Sequence, residues 1–164
     1  MSVDVTLTSA LTVVEVLDGN RPMALDSRAK VTHDQLNTGL ALSGGSAVPV
    51  TKVAAFLQAL TNGAATVDLT ALNGTNGHAV NATGLKLQAL KVRNPGTNAN
   101  PISIGHGAAN GYEFLGADWK VTLQPGQEVL LYGADAAPDV GSGAKTLDLA
   151  GTGTQALHIL AVFG

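Results

Sequence analysis

Two glycine-rich segments have residue spacings that could bind nucleotides. GTGTQA, at positions 151–156, matches the G-x-G-x-x-A pattern of dinucleotide-binding folds, and GSGAKT, at 141–146, resembles a phosphate-binding loop. A dinucleotide site requires a helix after the glycines, but GTGTQA lies between the strand-like segments LDL and LHIL. A phosphate loop requires glycine immediately before its lysine, where this chain has Ala144. We therefore predict a hairpin turn at GTGTQA and expect no nucleotide cofactor.

The remaining candidate chemical groups are scattered along the chain. Ser103 lies in PISIG, which has proline where the nucleophile motif of hydrolases has glycine. The acidic residues occur singly, alternating outward on predicted strands or lying in turns, so a paired-carboxylate site is not expected. No two histidines have metal-site spacing, which still leaves open a site assembled across strands; the four are His33, His78, His106 and His158. We predict no catalytic residue, no metal and no cofactor, and we interpret the protein as a non-enzyme.

One stretch, NPGTNANPISIGHGAANGY at positions 94–112, is unusually rich in asparagine and glycine. Asn-Pro favours the start of a turn, and asparagine side chains can hydrogen-bond nearby backbone groups in place of a sheet ladder. We interpret the stretch as a structural loop system rather than a ligand site. Its key residues are Asn94, Pro95, Asn98, Asn100, Asn110, Gly111 and Tyr112, the last of which is predicted to return to the core.

Composition narrows the classes of function further. The formal net charge is -3 and no basic patch is visible, which argues against nucleic-acid binding. The chain contains no cysteine, so disulfides and thiolate chemistry are excluded, and assembly in a reducing cytoplasm is compatible. The first residues, MSVDVTLTS, carry an acid where a signal peptide carries basic and then apolar residues, and no apolar run reaches transmembrane length. We expect a protein made in a cytoplasm, with no membrane partner.

Apolar and polar residues alternate with a period of two, which predicts an all-β protein. QPGQ, at 124–127, predicts a type II turn that joins Val121–Leu123 to Val129–Tyr132 as a hairpin. The last strand, ALHILAVF at 156–163, is apolar on both faces except for His158, so it is expected to be central and well covered. Many short strands with Gly and Pro turns predict a β-sandwich of the jelly-roll type.

Three segments are less regular. VAAFLQAL, at 53–60, leaves a short helix open, but we favour a hairpin that pairs Lys52–Leu60 with Ala65–Leu72. In KLQALKVRN the inward face shifts between Leu87 and Leu90, which indicates a bulge or burial on both sides. Residues 1–50 have shorter strand patterns and longer loops, so we predict an irregular N-terminal arm there and the sandwich at 51–164.

Several patterns recur together in the part of the chain from about Ala64 to Gly164. They are GLKLQALKVRNP leading into the asparagine-rich loop that ends in NGY, the turn in VTLQPGQEVLLY, and the closing TLDLAGTGTQALHILAVFG. Together they resemble a class of small virion proteins of tailed bacteriophages, the capsid decoration or cement proteins. The resemblance implies a β-sandwich that associates with a capsid.

It also implies a structural role on the capsid exterior after assembly in the host cytoplasm. The implied partner is the major capsid protein, whose subunit contacts the protein would stabilise, and the implied oligomer is a homotrimer. A receptor- or glycan-binding head or fibre module stays open as the alternative, with Tyr112, Trp119 and Tyr132 available to stack on a sugar. Because long, poorly patterned segments need a surface to order them, we select candidate partner contacts there: Arg21, Met23, Leu25 and Arg28.

Overall fold

The computed structural model describes residues 2–17, 29–75 and 77–164. The chain divides into two compact units. One, called here the ribbon, is Val5–Ala41, and the other, called the sandwich unit, is Met1–Asp4 together with Leu42–Gly164. The division falls between Ala41 and Leu42, whereas the sequence suggested a boundary near residue 50.

The ribbon is built from two short two-stranded ladders, of which β2–β3 is antiparallel. β1 pairs with β4, and β2 pairs with β3 in a register that places Val13 opposite His33. The side chain of Asn37 connects the two ladders, because its Oδ1 accepts from the Leu11 amide at 2.6 Å and its Nδ2 donates to Thr12 Oγ1 at 2.8 Å. The strands are β1 Val5–Ser9, β2 Val13–Leu17, β3 Ala29–His33 and β4 Thr38–Leu42.

The sandwich unit contains two four-stranded antiparallel sheets. The front sheet has the order β12-β9-β14-β5, and the back sheet has the order β11-β10-β13-β6. A small ladder of β7 and β8 precedes β9. The strands are β5 Lys52–Ala59, β6 Ala64–Asp68, β7 Leu72–Asn73, β8 Ala79–Val80, β9 Leu87–Arg93, β10 Ile102–His106, β11 Lys120–Leu123, β12 Glu128–Tyr132, β13 Thr146–Ala150 and β14 Ala156–Phe163.

The strand order is that of an eight-stranded jelly roll. β5 and β6, β9 and β10, β11 and β12, and β13 and β14 are consecutive pairs, and the members of each pair hold equivalent positions in the two sheets. Each short connection therefore carries the chain from one sheet to the other, as in double-sheet jelly rolls. This confirms the predicted all-β sandwich of jelly-roll type.

Three predicted hairpins are wrong because the two strands that each turn joins lie in different sheets. The three are the hairpins at QPGQ, at GTGTQA and at the turn between β5 and β6. The QPGQ turn forms, since Gly126 has φ 86° and the Gln127 amide donates to the Gln124 carbonyl at 3.0 Å. However, β11 pairs with β10 and β12 pairs with β9, so the turn joins two sheets. The turn at GTGTQA likewise joins β13 of the back sheet to β14 of the front sheet. A tight turn reverses the chain, but burial between two sheets decides which strand is the neighbour.

VAAFLQAL is a strand, as favoured, but its predicted partner is wrong. β5 pairs with β14, and β6 pairs with β13. A bridge between Thr61 and Ala64 closes the turn between β5 and β6. The turn between them requires glycine, because Gly63 has φ 84° and an added Cβ would lie 2.6 Å from the carbonyl oxygen of Gly151.

The core lies between the two sheets and consists mainly of aliphatic residues, with a few aromatic side chains. Leu90, Ile159 and Phe163 of the front sheet and Ile104 and Leu149 of the back sheet are among its buried members. The predicted shift in β9 is confirmed as a bulge, since Val162 pairs with Ala89 and Phe163 with Leu87. β14 is central, as predicted, between β9 and β5, although the outward side chains of His158 and Leu160 are exposed.

Candidate functional site

The asparagines of the stretch at 94–112 make hydrogen bonds within the sandwich unit. Asn94 is fully buried and its side chain makes three hydrogen bonds. Its Nδ2 donates to the carbonyl oxygens of Leu123 at 2.9 Å and Asn100 at 3.3 Å, and its Oδ1 accepts from Asn98 Nδ2 at 2.6 Å. Its backbone also bonds the QPGQ turn, because its amide donates to the Gln127 carbonyl at 2.9 Å. The polar atoms of the Asn94 side chain are therefore hydrogen-bonded within the protein and stabilise the fold.

The other asparagines of the stretch brace neighbouring strands. Asn98 Nδ2 also donates to the Ala156 carbonyl at 2.8 Å, at the start of β14, and its amide donates to the Pro95 carbonyl at 3.1 Å. The Asn100 amide donates to Gln155 Oε1 at 2.9 Å. Asn110, with φ 53°, accepts at its carbonyl oxygen from two backbone amides at the start of β13, and Gly111 after it bridges to Thr146. These residues connect sheet edges and loops.

Tyr112 ends the stretch inside an aromatic cluster. Its hydroxyl accepts from the Leu87 amide at 2.9 Å and donates to the Pro138 carbonyl at 2.6 Å, and burial raises its pKa to about 12. Trp119 is 7% exposed and its indole N–H donates to the Tyr112 carbonyl at 2.8 Å. Tyr112 and Trp119 are therefore unavailable for stacking on a sugar, and only Tyr132 of the three aromatic candidates is exposed.

The nucleotide-like segments have structural contacts of their own. In GSGAKT, Gly141 and Ala144 exchange backbone hydrogen bonds of 3.0 and 3.1 Å, and Lys145 Nζ binds Asp68 Oδ2 at 2.7 Å. Burial raises the pKa of Asp68, but hydrogen bonds from Lys145 and Thr70 outweigh it and leave that pKa below its ordinary value. Lys145 therefore forms an ion pair with a carboxylate of the same unit.

The histidines are dispersed. His33 Nε2 lies 3.3 Å from Glu15 Oε2 in the ribbon, while His158 is exposed on β14. His106 ends β10 and packs close to Gly111, and His78 precedes β8. Among residues 2–17, 29–75 and 77–164, no three histidine, aspartate or glutamate side chains are placed to hold a metal ion.

The ribbon is the most unusual surface in the described chain. None of its described side chains is buried. Leu11 and Leu36 are 75% and 88% exposed, and four further apolar side chains are also exposed: Val13, Val14, Val31 and Leu40. The predicted contacts Arg21, Met23, Leu25 and Arg28 lie outside the described residues, between β2 and β3. The exposed apolar residues on β2 and β3 were missed, although the valines of VVEVL at 13–17 favour a strand there.

A second apolar surface lies on the outer face of the front sheet. Leu57 is 58% exposed and Leu160 39% exposed, on neighbouring strands, and Leu130 and Tyr132 are exposed on the edge strand β12. Lys91 on β9 pairs with Glu128 at 3.1 Å. This face, called here the front face, was not predicted from the sequence.

In the described part of the chain no helix is long and apolar enough to cross a membrane. Comparison of the chain with family models, with curated proteins and with solved structures finds no match.

Proposed function

We propose that this protein is a structural virion protein that binds the outside of a phage capsid and stabilises contacts between major capsid protein subunits. The proposal rests first on the motifs of residues 64–164 that resemble capsid decoration proteins. The jelly-roll order of the sandwich unit supports it by analogy, because viral capsid domains use that fold among other proteins.

The observation that carries the proposal is the ribbon. A two-stranded antiparallel ladder with no core is at best marginally stable in water. Exposed apolar residues collected in one unit mark a surface that another protein covers. A capsid surface would supply the missing layer for Leu11, Leu36 and the valines of β2 and β3.

The proposal includes a homotrimer and a non-enzymatic role on the virion exterior. Light scattering of the purified chain, coupled to size-exclusion chromatography, measures the mass in solution, and a mass of about three protomers agrees with the resemblance. If the protein is a monomer in solution, the proposed trimer would have to form on the capsid. The same measurement is therefore repeated on protein released from saturated capsids. A monomer in both samples contradicts the trimer.

Capsid binding is tested with exposed leucines. Leu11→Ser and Leu36→Ser in the ribbon each remove an apolar side chain whose burial is worth about 1.5–3 kcal/mol, so each should weaken binding to bare capsids about tenfold or more. Leu115→Ser is the matched control, since Leu115 is 51% exposed but lies in a loop of the sandwich unit. Saturation of capsids by the ribbon variants at wild-type concentrations would contradict the proposed contact.

A further inference from the structure

We propose that the front face binds an acidic, apolar segment of another protein chain. This inference deepens the proposed function, on which it rests for the kind of partner, because a protein that bridges capsid subunits needs more than one contact surface. The evidence for it comes from the sandwich unit alone.

The two outer faces of the sandwich differ in chemistry. Antiparallel sheets with one solvated face normally alternate apolar residues inward with polar residues outward. The back sheet follows this rule, with Thr66, Asp148, Lys120 and Thr122 on its outer face. The front sheet departs from it, because its outer face carries four exposed large apolar side chains: Leu57, Leu130, Tyr132 and Leu160. A face that only contacts water would not be expected to carry these four apolar side chains.

Strand register interleaves these apolar groups with cations. One row across the four strands runs from Glu128 through Arg93 and His158 to Leu57. The next runs from Leu130 through Lys91 and Leu160 to Ala55. Directly opposite residues in such rows have Cβ atoms about 5 Å apart, so Lys91 lies between Leu130 and Leu160, while Arg93 lies between Glu128 and His158 with Leu57 one strand further along the row. The residues of the two rows other than Leu130 line an open groove of about 550 Å³.

Charge identifies the partner's chemistry. Lys91 is neutralised by Glu128, whereas the guanidinium of Arg93 makes no hydrogen bond or ion pair with any residue that the structure describes. A guanidinium presents a planar fork of donors that matches a carboxylate in two parallel hydrogen bonds. A segment with a carboxylate for Arg93 and apolar side chains for Leu57 and Leu160 complements the groove.

Other partners fit the front face less well. A nucleic-acid strand requires several cations along its phosphates, but Arg93 is the one lysine or arginine of these two rows without an ion pair in the described structure, and Glu128 lies opposite it. A sugar requires an aromatic platform, and Tyr132 pairs with Ala89, one row beyond Leu130 and away from Arg93. The groove is open, which suits an extended protein segment that lies across the strands.

The test is an NMR titration of the full chain with a short capped peptide that alternates glutamate with leucine and threonine. Amide shifts are expected on β9, β14 and β5. Arg93→Gln should weaken binding about fivefold, as expected for one exposed ion pair, and Leu57→Ser should also weaken it. Lys120→Gln is the matched control, because Lys120 is an exposed cation without an ion pair on the outer face of the back sheet. It should leave binding unchanged.

Several results would overturn the inference. Equal binding of a peptide with lysine in place of glutamate, or unchanged binding by Arg93→Gln, would remove the charge argument. Stronger shifts on the same strands with oligothymidylate would identify a nucleic-acid site instead. Shifts there that depend on protein concentration without peptide would show that a second copy covers the face. None of these results affects capsid binding through the ribbon, so the two proposals fail separately.

Discussion

Asn94 is the residue on which the asparagine-rich loop depends most. Replacing it with alanine removes three side-chain hydrogen bonds and takes a donor away from the Leu123 carbonyl oxygen inside a fully buried site. Each hydrogen bond contributes about 1 kcal/mol net, and a buried polar group left without its partner costs about 1–3 kcal/mol. We therefore expect Asn94→Ala to lower the free energy of unfolding by about 3–4 kcal/mol. For a domain of this size the melting temperature should fall by about 10 °C.

Urea unfolding followed by tryptophan fluorescence measures this change. Trp119 is the single tryptophan of the chain and lies buried in the sandwich unit, so its emission reports that unit and not the ribbon. Because fluorescence gives a free energy only where unfolding is two-state, circular dichroism should show the same transition for the sheets.

Asn100→Ala is the matched control in the same loop. Asn100 contributes its backbone amide and carbonyl, both of which alanine retains, and its side chain makes no hydrogen bond in the described structure. Its replacement should change stability by less than about 0.5 kcal/mol. If Asn94→Ala costs less than about 1 kcal/mol, or if the two variants are equally destabilised, the loop is not held together by the Asn94 side chain.

Two further predictions concern stability and use the same fluorescence assay. Because the folded pKa of Tyr112, about 12, exceeds its ordinary value near 10, its contribution to stability is complete below pH about 10 and is lost as pH rises through about 12. Tyr112→Phe should abolish that pH dependence and cost about 1–3 kcal/mol at neutral pH, since the Leu87 amide loses its acceptor; an unchanged alkaline profile would contradict this. Gly63→Ala should cost more than about 1 kcal/mol because of positive φ and the Gly151 contact, whereas Gly143→Ala, which has open space, should be near neutral; equal effects would contradict this.

Local structure was predictable from the sequence because it depends on neighbouring residues. The segment Val129–Tyr132 was predicted as a strand and is one, and its Val129 and Leu131 pack against the core. The Pro-Gly turn at 124–127 was predictable for the same reason, since positive φ at Gly126 is a property of that residue. The bulge in β9 was visible as a break in the period of two.

Strand pairing was not predictable, because it depends on contacts distant in sequence. β9 and β14 are neighbours in the front sheet although about half of the sandwich lies between them in the chain. A turn signal has the same form whether the two strands share a sheet or face each other across the core. In a jelly roll the second arrangement occurs at each short connection, and this is why three reasonable hairpins were wrong.

The candidate surfaces show the same limit. The candidate nucleotide and metal motifs could be assessed from residue spacing alone. The front face could not be predicted without knowing which side of β14 is covered. His158 and Leu160 alternate with buried neighbours in a strand that is apolar except for His158, and this sequence is compatible with burial on both faces as well as with an outer face that binds a partner. The structure excludes burial of β14 on both faces within this chain, since Leu160 is 39% exposed.

The ribbon and the front face should differ in how they bind. The front face stands on a sheet whose other side is packed against the core, so the backbone positions of Leu57, Leu160 and Arg93 are fixed before a partner arrives. None of the described ribbon side chains is buried, so a partner that covers Leu11 and Leu36 must also supply the free energy that holds its ladders in place. Ordering on binding lowers affinity for a given buried area, while a preformed surface avoids that cost. We therefore expect ribbon binding to show a larger negative heat-capacity change than peptide binding at the front face, and calorimetry of the two reactions compares them directly.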